Sequence, residues 1–409
     1  MKQKLLITVI ILPLLLSCKH QVVQSEGIDV EHGIQNPTRL KISDFGKTIR
    51  YIPLETTDDG LVGNRPVVKV LKNYIVTESQ GSCLLFDKKD GSFIAKIGRI
   101  GQGPNEYSDI FSWTDEKEEY LYFNRRSNQL VKYDMKGVYH GKIEFPTLPG
   151  SLASYYLITD SEIIGYFNGM GHYTLGFFDK VGILKDTIPS LFPNLEFDAN
   201  KVASISVLRG GISTTYGNWS KTGAIIIEYK DDTKQILAPN ATKIWKHNGH
   251  IHFKEDFMDT VYRLSGSQLV PSIIFNTGKY HWPVAERTSK KRTNERIFIS
   301  DVSENDNFVF FQCIRGLYSD DPILYNGLYQ KKTGETKFGK FSDPIEDDLT
   351  QFMPFTPLGM STSGEFVSII QVENIIEWLE KHPEAKNNAQ LPFLKNLDEE
   401  MNPIVVLIE

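Results

Sequence analysis

The chain has 409 residues, of which 45 are lysine or arginine and 51 are aspartate or glutamate, giving a formal net charge of −6. Its 24 Phe, 18 Tyr and 5 Trp residues can build a substantial hydrophobic core, which excludes global disorder. An acidic chain also lacks the basic surface of a protein that binds nucleic acid. No nucleic-acid partner is therefore predicted.

The first residues have the pattern of a bacterial signal peptide. Lys2 and Lys4 precede an apolar run from Leu5 to Leu16, which is too short to cross ~30 Å of hydrocarbon as a helix. The run ends in Leu15-Leu16-Ser17-Cys18, which resembles the lipobox of bacterial lipoproteins, whose cysteine is acylated and becomes the first mature residue. We predict a signal peptide over residues 1–17 and membrane attachment through lipid on Cys18. The alternative is an ordinary signal peptide followed by an incidental cysteine.

The segment after Cys18 is polar and shows no apolar period as far as about Gln35. This composition is typical of a flexible tether, and we predict that the tether occupies residues 18–47 and that the folded domain occupies residues 48–409. Within the domain, Cys83 and Cys313 both lie in apolar runs that resemble strands. Buried free thiols are favoured there over a single disulfide bridge.

Short alternating apolar runs dominate the domain, which predicts a mostly β protein. A strand followed by an Asp-containing turn that closes on glycine recurs at intervals of about 45 residues. Clear copies contain Asp87 and Gly91, Asp134 and Gly137, and Asp179 and Gly182. Degenerate copies lie at residues 225–232, 261–266 and 327–334.

This period predicts an all-β fold, a six-bladed β-propeller with one blade per copy. In the turns, Asp accepts hydrogen bonds from backbone amides and Gly adopts positive φ, so both residue types are interpreted as structural. Ring closure requires residues 48–54 and 403–408 to share one blade, since an open ring would expose strand edges. A helix is predicted from Glu373 to about Lys381, inserted between the last strands.

The segment that follows the first turn resembles a known family signature. Gly101-Gln102-Gly103-Pro104-Asn105-Glu106-Tyr107 is similar to the Gly-x-Gly-Pro-x-Glu-Tyr motif of uncharacterised six-bladed β-propeller lipoproteins of Bacteroides and related bacteria, which are NHL-like or TolB-like. The resemblance covers roughly residues 48–409. It implies the fold and a location in the cell envelope, with the outer membrane expected, and it implies no catalytic residue. Gly101, Gly103, Pro104, Glu106 and Tyr107 are therefore interpreted as a structural crossing between blades.

Motifs that would indicate chemistry are missing from the sequence. The glycines at 98, 101 and 103 are followed by no Gly-Lys-Ser/Thr, so a phosphate loop is not predicted. His250 and His252 could share a metal with His247, but strand histidines that face solvent are the favoured interpretation. Acidic pairs at 58–59, 231–232 and 320–321 and the run at 346–348 are interpreted as solvated loops. No cofactor, metal or catalytic residue is predicted.

We therefore predict a lipid-anchored binding or interaction module whose partner is another envelope protein or a glycan. The alternative is a carbohydrate-active enzyme of the propeller type, a polysaccharide lyase or glycosidase. Three or more charged side chains converging at one channel mouth, especially with a Tyr, His or Arg, would favour the enzyme, and an apolar or aromatic rim without them would favour binding. The aromatic residues Trp113, Tyr155, Tyr156, Trp219 and Trp282 are assigned to packing.

Overall fold

A computed structural model describes residues 27–126, 128–148, 153–167, 172–191, 198–214, 217–237, 244–283, 286, 288–289, 295–317 and 322–409. Most of the strands in the described residues belong to antiparallel four-stranded sheets arranged as the six blades of a propeller, as the sequence predicted. The remaining elements are an N-terminal segment, a sheet outside the ring and a short helix near the C-terminus. None of the helices in the described part of the chain is long and apolar enough to cross a membrane.

The elements follow in chain order. The N-terminal segment contains β1 (Ile28–Asp29), α1 (Val30–Gln35) and β2 (Ile49–Pro53). Blade 1 contains β3 (Val67–Val70), β4 (Tyr74–Ser79), β5 (Ser82–Asp87) and β6 (Phe93–Lys96). Blade 2 contains β7 (Ser112–Thr114), β8 (Tyr120–Arg126), β9 (Gln129–Asp134) and β10 (Tyr139–Glu144). Blade 3 contains β11 (Tyr155–Ile158), β12 (Ile163–Tyr166), β13 (Tyr173–Phe178) and β14 (Leu184–Pro189).

The second half begins with strands β15 (Val202–Thr214), β16 (Gly217–Tyr229) and β17 (Lys234–Leu237). Blade 4 contains β18 (Ile244–His247), β19 (His250–Lys254), β20 (Thr260–Ser265) and β21 (Gln268–Asn276), and β22 (Thr288–Ser289) follows it. Blade 5 contains β23 (Ile297–Glu304), β24 (Phe308–Arg315), β25 (Ile323–Gln330) and β26 (Thr336–Lys340). Blade 6 combines β2 with β27 (Gly359–Met360), β28 (Phe366–Ile370) and β29 (Ile404–Ile408), and α2 (Val372–Lys381) lies between β28 and β29. Short 3-10 helices occupy Ile42–Asp44, Ala199–Lys201, Gly278–Tyr280, Pro383–Asn387 and Pro392–Asn396.

Six hydrophobic clusters establish the number of blades, because each fills the space between two neighbouring blades. Blade 3 packs directly on blade 4, where Tyr166 and Phe177 meet Ile244 and Phe253. The sheet of β15, β16, β17 and β22 therefore lies outside the ring. The sequence assigned residues 225–232 to a blade, and that assignment is wrong because these residues belong to β16 and the turn that follows it. The blade that completes the count of six is instead the one formed by β2, β27, β28 and β29.

Blade 6 closes the ring with strands from both ends of the chain. C-terminal β29 pairs with β28 on one side and with N-terminal β2 on the other, where Tyr51 faces Val406 and Ile52 faces Val405. This confirms that the two terminal segments share a blade. The helix is also confirmed, one residue longer at its start: α2 buries Ile375 and Leu379 against blade 6.

The described part of the predicted tether is folded on the propeller, so the tether prediction is wrong for residues 28–45. Strand β1 pairs in parallel with β21, the outermost strand of blade 4. Helix α1 then packs on blade 5, and Leu40 and Ile42 enter the hydrophobic cluster between blades 5 and 6. We call residues 27–47 the strap. Its apolar residues contact blades 4, 5 and 6 in turn from a strand, a helix and the segment that follows the helix. Because the local structure changes along the strap, these residues follow no single apolar period in the sequence.

The Asp-Gly turns join the third and fourth strands of their blades. The Asp134 carboxylate accepts hydrogen bonds from the amides of Lys136 and Val138, and Asp179 accepts two in the same way. The glycines also touch the preceding blade. A Cβ atom on Gly182 (φ +93°) would lie 2.1 Å from the Glu144 carbonyl oxygen at the end of β10, so a larger residue cannot fit without displacing that strand.

The two cysteines of the domain are buried and free, which confirms the interpretation of their apolar surroundings. Cys83 lies between blades 1 and 2, and Cys313 lies between blades 4 and 5. Burial raises the pKa of both thiols. Neither is therefore in the reactive thiolate form at neutral pH.

Closure also depends on one buried side chain. Asn402 accepts a hydrogen bond from the Val62 amide at 2.9 Å and donates to the carbonyls of Glu55 and Gly60 at 2.7 and 2.6 Å. Asn402→Ala should lower the free energy of unfolding by about 3 kcal/mol, because buried backbone groups lose their partners. Chemical denaturation measures this. Asn387→Ala, on the exposed surface near α2, is the matched control, and equal effects of the two substitutions would contradict this role of Asn402.

Candidate functional site

The turns between the first and second strands of the blades meet at one end of the central channel. Because the strands of each blade are antiparallel and sequential, these turns share one end of the ring. We call them the inner-turn ring. It consists of residues 71–73, 115–119, 159–162, 248–249, 305–307 and 361–365.

Hydrogen bonds link most neighbouring turns of this ring. Asn248 donates to Asp306 at 3.0 Å, and Asn305 donates to the Gly364 carbonyl at 2.8 Å. The Thr362 amide donates to the Val70 carbonyl at 3.0 Å, which joins blade 6 to blade 1. The ring is therefore a fixed polar surface built from turns that are distant in sequence.

Two glutamates from the blade 2 turn reach over their neighbours. The Glu118 carboxylate accepts hydrogen bonds from the Lys72 amide at 2.8 Å and from the Thr362 hydroxyl at 2.6 Å, connecting blades 1, 2 and 6. Glu116 pairs with Lys246 of blade 4 and accepts a hydrogen bond from the Asp160 amide of blade 3. The hydrogen bond from Lys246 lowers the pKa of the Glu116 carboxyl.

An open cleft of about 530 Å³ lies between these turns. Every side chain that lines it is polar or charged: Lys72, Asn73, Glu116, Lys117, Glu118, Glu119, Thr362 and Ser363. The cleft can offer hydrogen-bond donors and acceptors of both charges. It is suited to a hydrated, hydrogen-bonding ligand rather than an apolar one.

Buried carboxylates also join neighbouring blades. Glu365 of blade 6 pairs with Lys88 of blade 1 at 2.6 Å. Glu78 of blade 1 accepts a hydrogen bond from the Ser112 amide of blade 2 at 2.8 Å. Glu255 of blade 4 accepts one from the Tyr166 hydroxyl of blade 3 at 2.6 Å.

Between blades 4 and 5, Glu304 lies at the centre of a larger cluster. Its carboxylate accepts hydrogen bonds from the Trp245 indole at 2.9 Å and from Lys331 at 2.6 Å, and it contacts the His252 ring. Burial by itself would raise the pKa of Glu304, but His252 and Lys331 together lower it to about 2. The carboxylate therefore stays ionised at neutral pH.

The three histidines do not behave as a group that faces solvent. His252 is buried against Glu304, so the prediction is wrong for this residue, and His247 is half-buried 3.9 Å from Glu304. Burial lowers the pKa of His247. His250 is exposed. No cluster of three metal-ligating side chains occurs among the residues that the structure describes.

The signature loop crosses from blade 1 to blade 2. Glu106 accepts a hydrogen bond from the Gly103 amide at 2.7 Å and another from Arg99 at 2.5 Å, which together lower the pKa of its carboxyl. A Cβ atom on Gly101 would lie 2.0 Å from a Glu106 carboxylate oxygen. The buried Tyr107 hydroxyl donates to the Ile97 carbonyl at 2.8 Å, and its ring stacks on Phe123. Pro104 lines a shallow groove beside the loop.

The remaining predicted residues are dispersed. The pairs at 58–59 and 231–232 are exposed. Asp347 is buried and accepts a hydrogen bond from the Tyr51 hydroxyl at 2.9 Å, so the interpretation as a solvated loop is wrong for this residue of the run 346–348. Trp113, Tyr156 and Trp282 are buried, which confirms their assignment to packing. Cys18, the pair at 320–321 and the Trp219 side chain lie outside the described residues.

Sequence reasoning missed the inner-turn ring. Its only local signal is the charged run Asp115-Glu116-Lys117-Glu118-Glu119, which looks like an ordinary solvated turn. The other contributors are single residues in short turns. These turns come together only when the six blades form a ring, and no local sequence pattern predicts which turns will meet.

The architecture defines this protein as a six-bladed β-propeller with a polar channel end. The chain belongs to the family described as "Domain of unknown function (DUF4934)", which matches residues 25–409. A search of curated proteins by sequence finds no match.

Among solved structures similar to this chain, one from Bacteroides fragilis supports the propeller fold. A "Putative exported protein" from Bacteroides fragilis NCTC 9343 is 16% identical, with 91% of this chain and 97% of that chain covered and a TM-score of 0.59. The WD40 repeats of RRP9 are 12% identical over 91% of this chain and 99% of that one, with a TM-score of 0.39. BamB from Moraxella catarrhalis is 9% identical over 89% and 98%, with a TM-score of 0.34.

The low pKa of Glu304 has a consequence for acid stability. The carboxyl titrates near its ordinary value of 4.5 in the unfolded chain and near 2 in the folded one, so its stabilisation is complete above about pH 4.5 and is lost as the pH falls through 2. From pH 7 to pH 3 the wild-type chain should lose about 2 kcal/mol more unfolding free energy than Glu304→Gln. Denaturant titrations at each pH measure this difference. The exposed Glu335→Gln is the control, and parallel pH profiles for wild type and Glu304→Gln would refute this role of Glu304.

Proposed function

We propose that this protein is a lipid-anchored binding module of the bacterial cell envelope, with the cleft of the inner-turn ring as its binding site. The N-terminal sequence up to Cys18 supports export and lipidation. The likeness to a protein named as exported is consistent with this location. The ligand is a glycan or a polar segment of another envelope protein.

The cleft itself carries the proposal. It is open, polar throughout and formed by blades 1, 2 and 6, and the exposed side chains of Lys72, Asn73 and Lys117 can hydrogen-bond a ligand. Its backbone is fixed by contacts between blades. A preformed site needs little ordering of its own residues when the ligand binds.

Charged side chains on the rim of the cleft favour an enzyme, but two of the three carboxylates, those of Glu116 and Glu118, are engaged in other contacts. Both oxygens of Glu118 accept hydrogen bonds within the protein. Glu116 has a lowered pKa, whereas a general acid needs a pKa near the working pH. At the opposite end of the channel, Lys254, Glu255 and Asp256 adjoin Tyr166, but they are 5%, 0% and 3% exposed, which leaves a substrate no access. We therefore favour binding over catalysis.

The anchor is tested with Cys18→Ala. The variant should remain uncleaved by the lipoprotein signal peptidase and should not incorporate radioactive palmitate, because no thiol is available for acylation. Cys83→Ala is the control, since that thiol is buried in the core. Palmitate incorporation into the Cys18→Ala variant would rule out lipidation at this position.

The binding site is tested with an unlipidated chain that starts at residue 19 and so retains the strap. It should bind a glycan on an array of envelope polysaccharides or copurify with an envelope protein. Lys72→Ala with Lys117→Ala should weaken that binding about tenfold or more, because two charge-assisted hydrogen bonds are lost. Lys332→Ala with Lys386→Ala, at exposed sites outside the cleft, is the matched control.

Two outcomes would count against the proposal. Equal binding by the two double variants would move the site away from the cleft. Release of reducing or unsaturated sugars from a polysaccharide panel, abolished by one substitution at either channel end, would replace the binding role with the enzymatic one.

A further inference from the structure

The strap determines where the lipid anchor leaves the folded domain. Gly27, the first described residue, lies directly over Ile274: a Cβ atom on Gly27 would be 2.8 Å from the Ile274 carbonyl oxygen and 3.3 Å from its Cγ2 atom. Residues Ile28 and Asp29 then pair with Phe275 and Asn276. The chain therefore leaves the propeller at the outer edge of blade 4.

The distance from this point to the membrane is limited. Only eight residues separate Cys18 from Gly27. Even fully extended, that stretch of chain reaches about 30 Å. A folded domain of this length has a radius of gyration of roughly 21 Å and hence a breadth of roughly 50 Å. The far side of the ring therefore cannot be the side next to the lipid.

The edge beside Gly27 carries apolar side chains. Val270 and Ile274 lie on either side of a β-bulge in β21, the outermost strand of blade 4, and are 36% and 42% exposed. Strand β1 covers β21 only at Phe275 and Asn276. Pro271 lies in the uncovered part, and a proline without an N–H group disfavours the addition of another strand.

We propose that the outer edge of blade 4, around Val270 and Ile274, is the surface that faces and contacts the lipid bilayer. This inference rests on the proposed lipidation of Cys18. In this orientation the membrane meets the rim of the ring, so the channel axis lies close to the membrane plane. Both channel ends, including the inner-turn ring, then remain open to ligands.

Single cysteines test the orientation in the full lipidated chain. Ile274→Cys and, separately, Val270→Cys are labelled with an environment-sensitive maleimide dye, which spares the buried Cys83 and Cys313. The protein is reconstituted in vesicles of phosphatidylethanolamine and phosphatidylglycerol that contain a spin-labelled quencher lipid. Ile94→Cys is the matched control, because it lies on the outermost strand of blade 1, opposite blade 4, and is 37% exposed.

Dyes at 270 and 274 should be quenched about threefold more than the dye at 94, because an interfacial contact places them within ~10 Å of the headgroup boundary. Equal quenching at all three sites, or stronger quenching at 94, would overturn the orientation. Vesicle flotation of the unlabelled chain separates the two proposals. A chain that floats but shows equal quenching refutes the orientation alone, whereas a chain that does not float refutes the anchor and the orientation with it.

Discussion

Closure of the ring by β29 is the constraint on which the rest of the structure depends. This last strand lies between β28 and β2, so neither end of the chain can complete blade 6 without the other. A propeller left open there would expose two strand edges and one face of the adjoining hydrophobic cluster. Asn402 extends the closure by holding the connection from blade 6 to blade 1. The strap adds further contacts between blades, because it packs in turn on blades 4, 5 and 6.

When the ring closes, several charged side chains become buried between neighbouring blades. Their burial costs little free energy only because each is paired with a hydrogen-bond donor. A buried carboxylate without partners is costly, but Glu304, Glu365 and Glu78 each meet donors from the adjoining blade. Such contacts stabilise only the native packing of two adjacent blades, because a shifted blade would leave the buried carboxylate unpaired. The low pKa of Glu304 shows this effect most clearly, because it results from the contacts of the carboxylate with His252 and Lys331.

The same geometry separates the proposed anchor from the proposed binding site. The strap leaves the domain at the rim, whereas the polar cleft lies at one end of the channel. Inner turns are short and mutually hydrogen-bonded, so they form a fixed surface. The six blades thus act as a scaffold that presents single residues from distant positions, which is how propellers of unrelated sequence can serve different partners.

The sequence predicts the repeating β architecture without the structure, because blade turns need Asp and Gly at fixed spacing and strands need alternating apolar residues. It also determined the terminal strands of blade 6 and the α2 helix, which are local patterns. It misassigned residues 225–232, since a long hairpin outside the ring has the same strand and turn chemistry as a blade. The folded chain alone shows that residues 27–47 form a strap on the propeller, that His252 is buried against Glu304, and that Glu116, Glu118 and Thr362 converge. Each of these depends on contacts between residues far apart in the chain, and periodicity reports only the neighbours of a residue along the sequence.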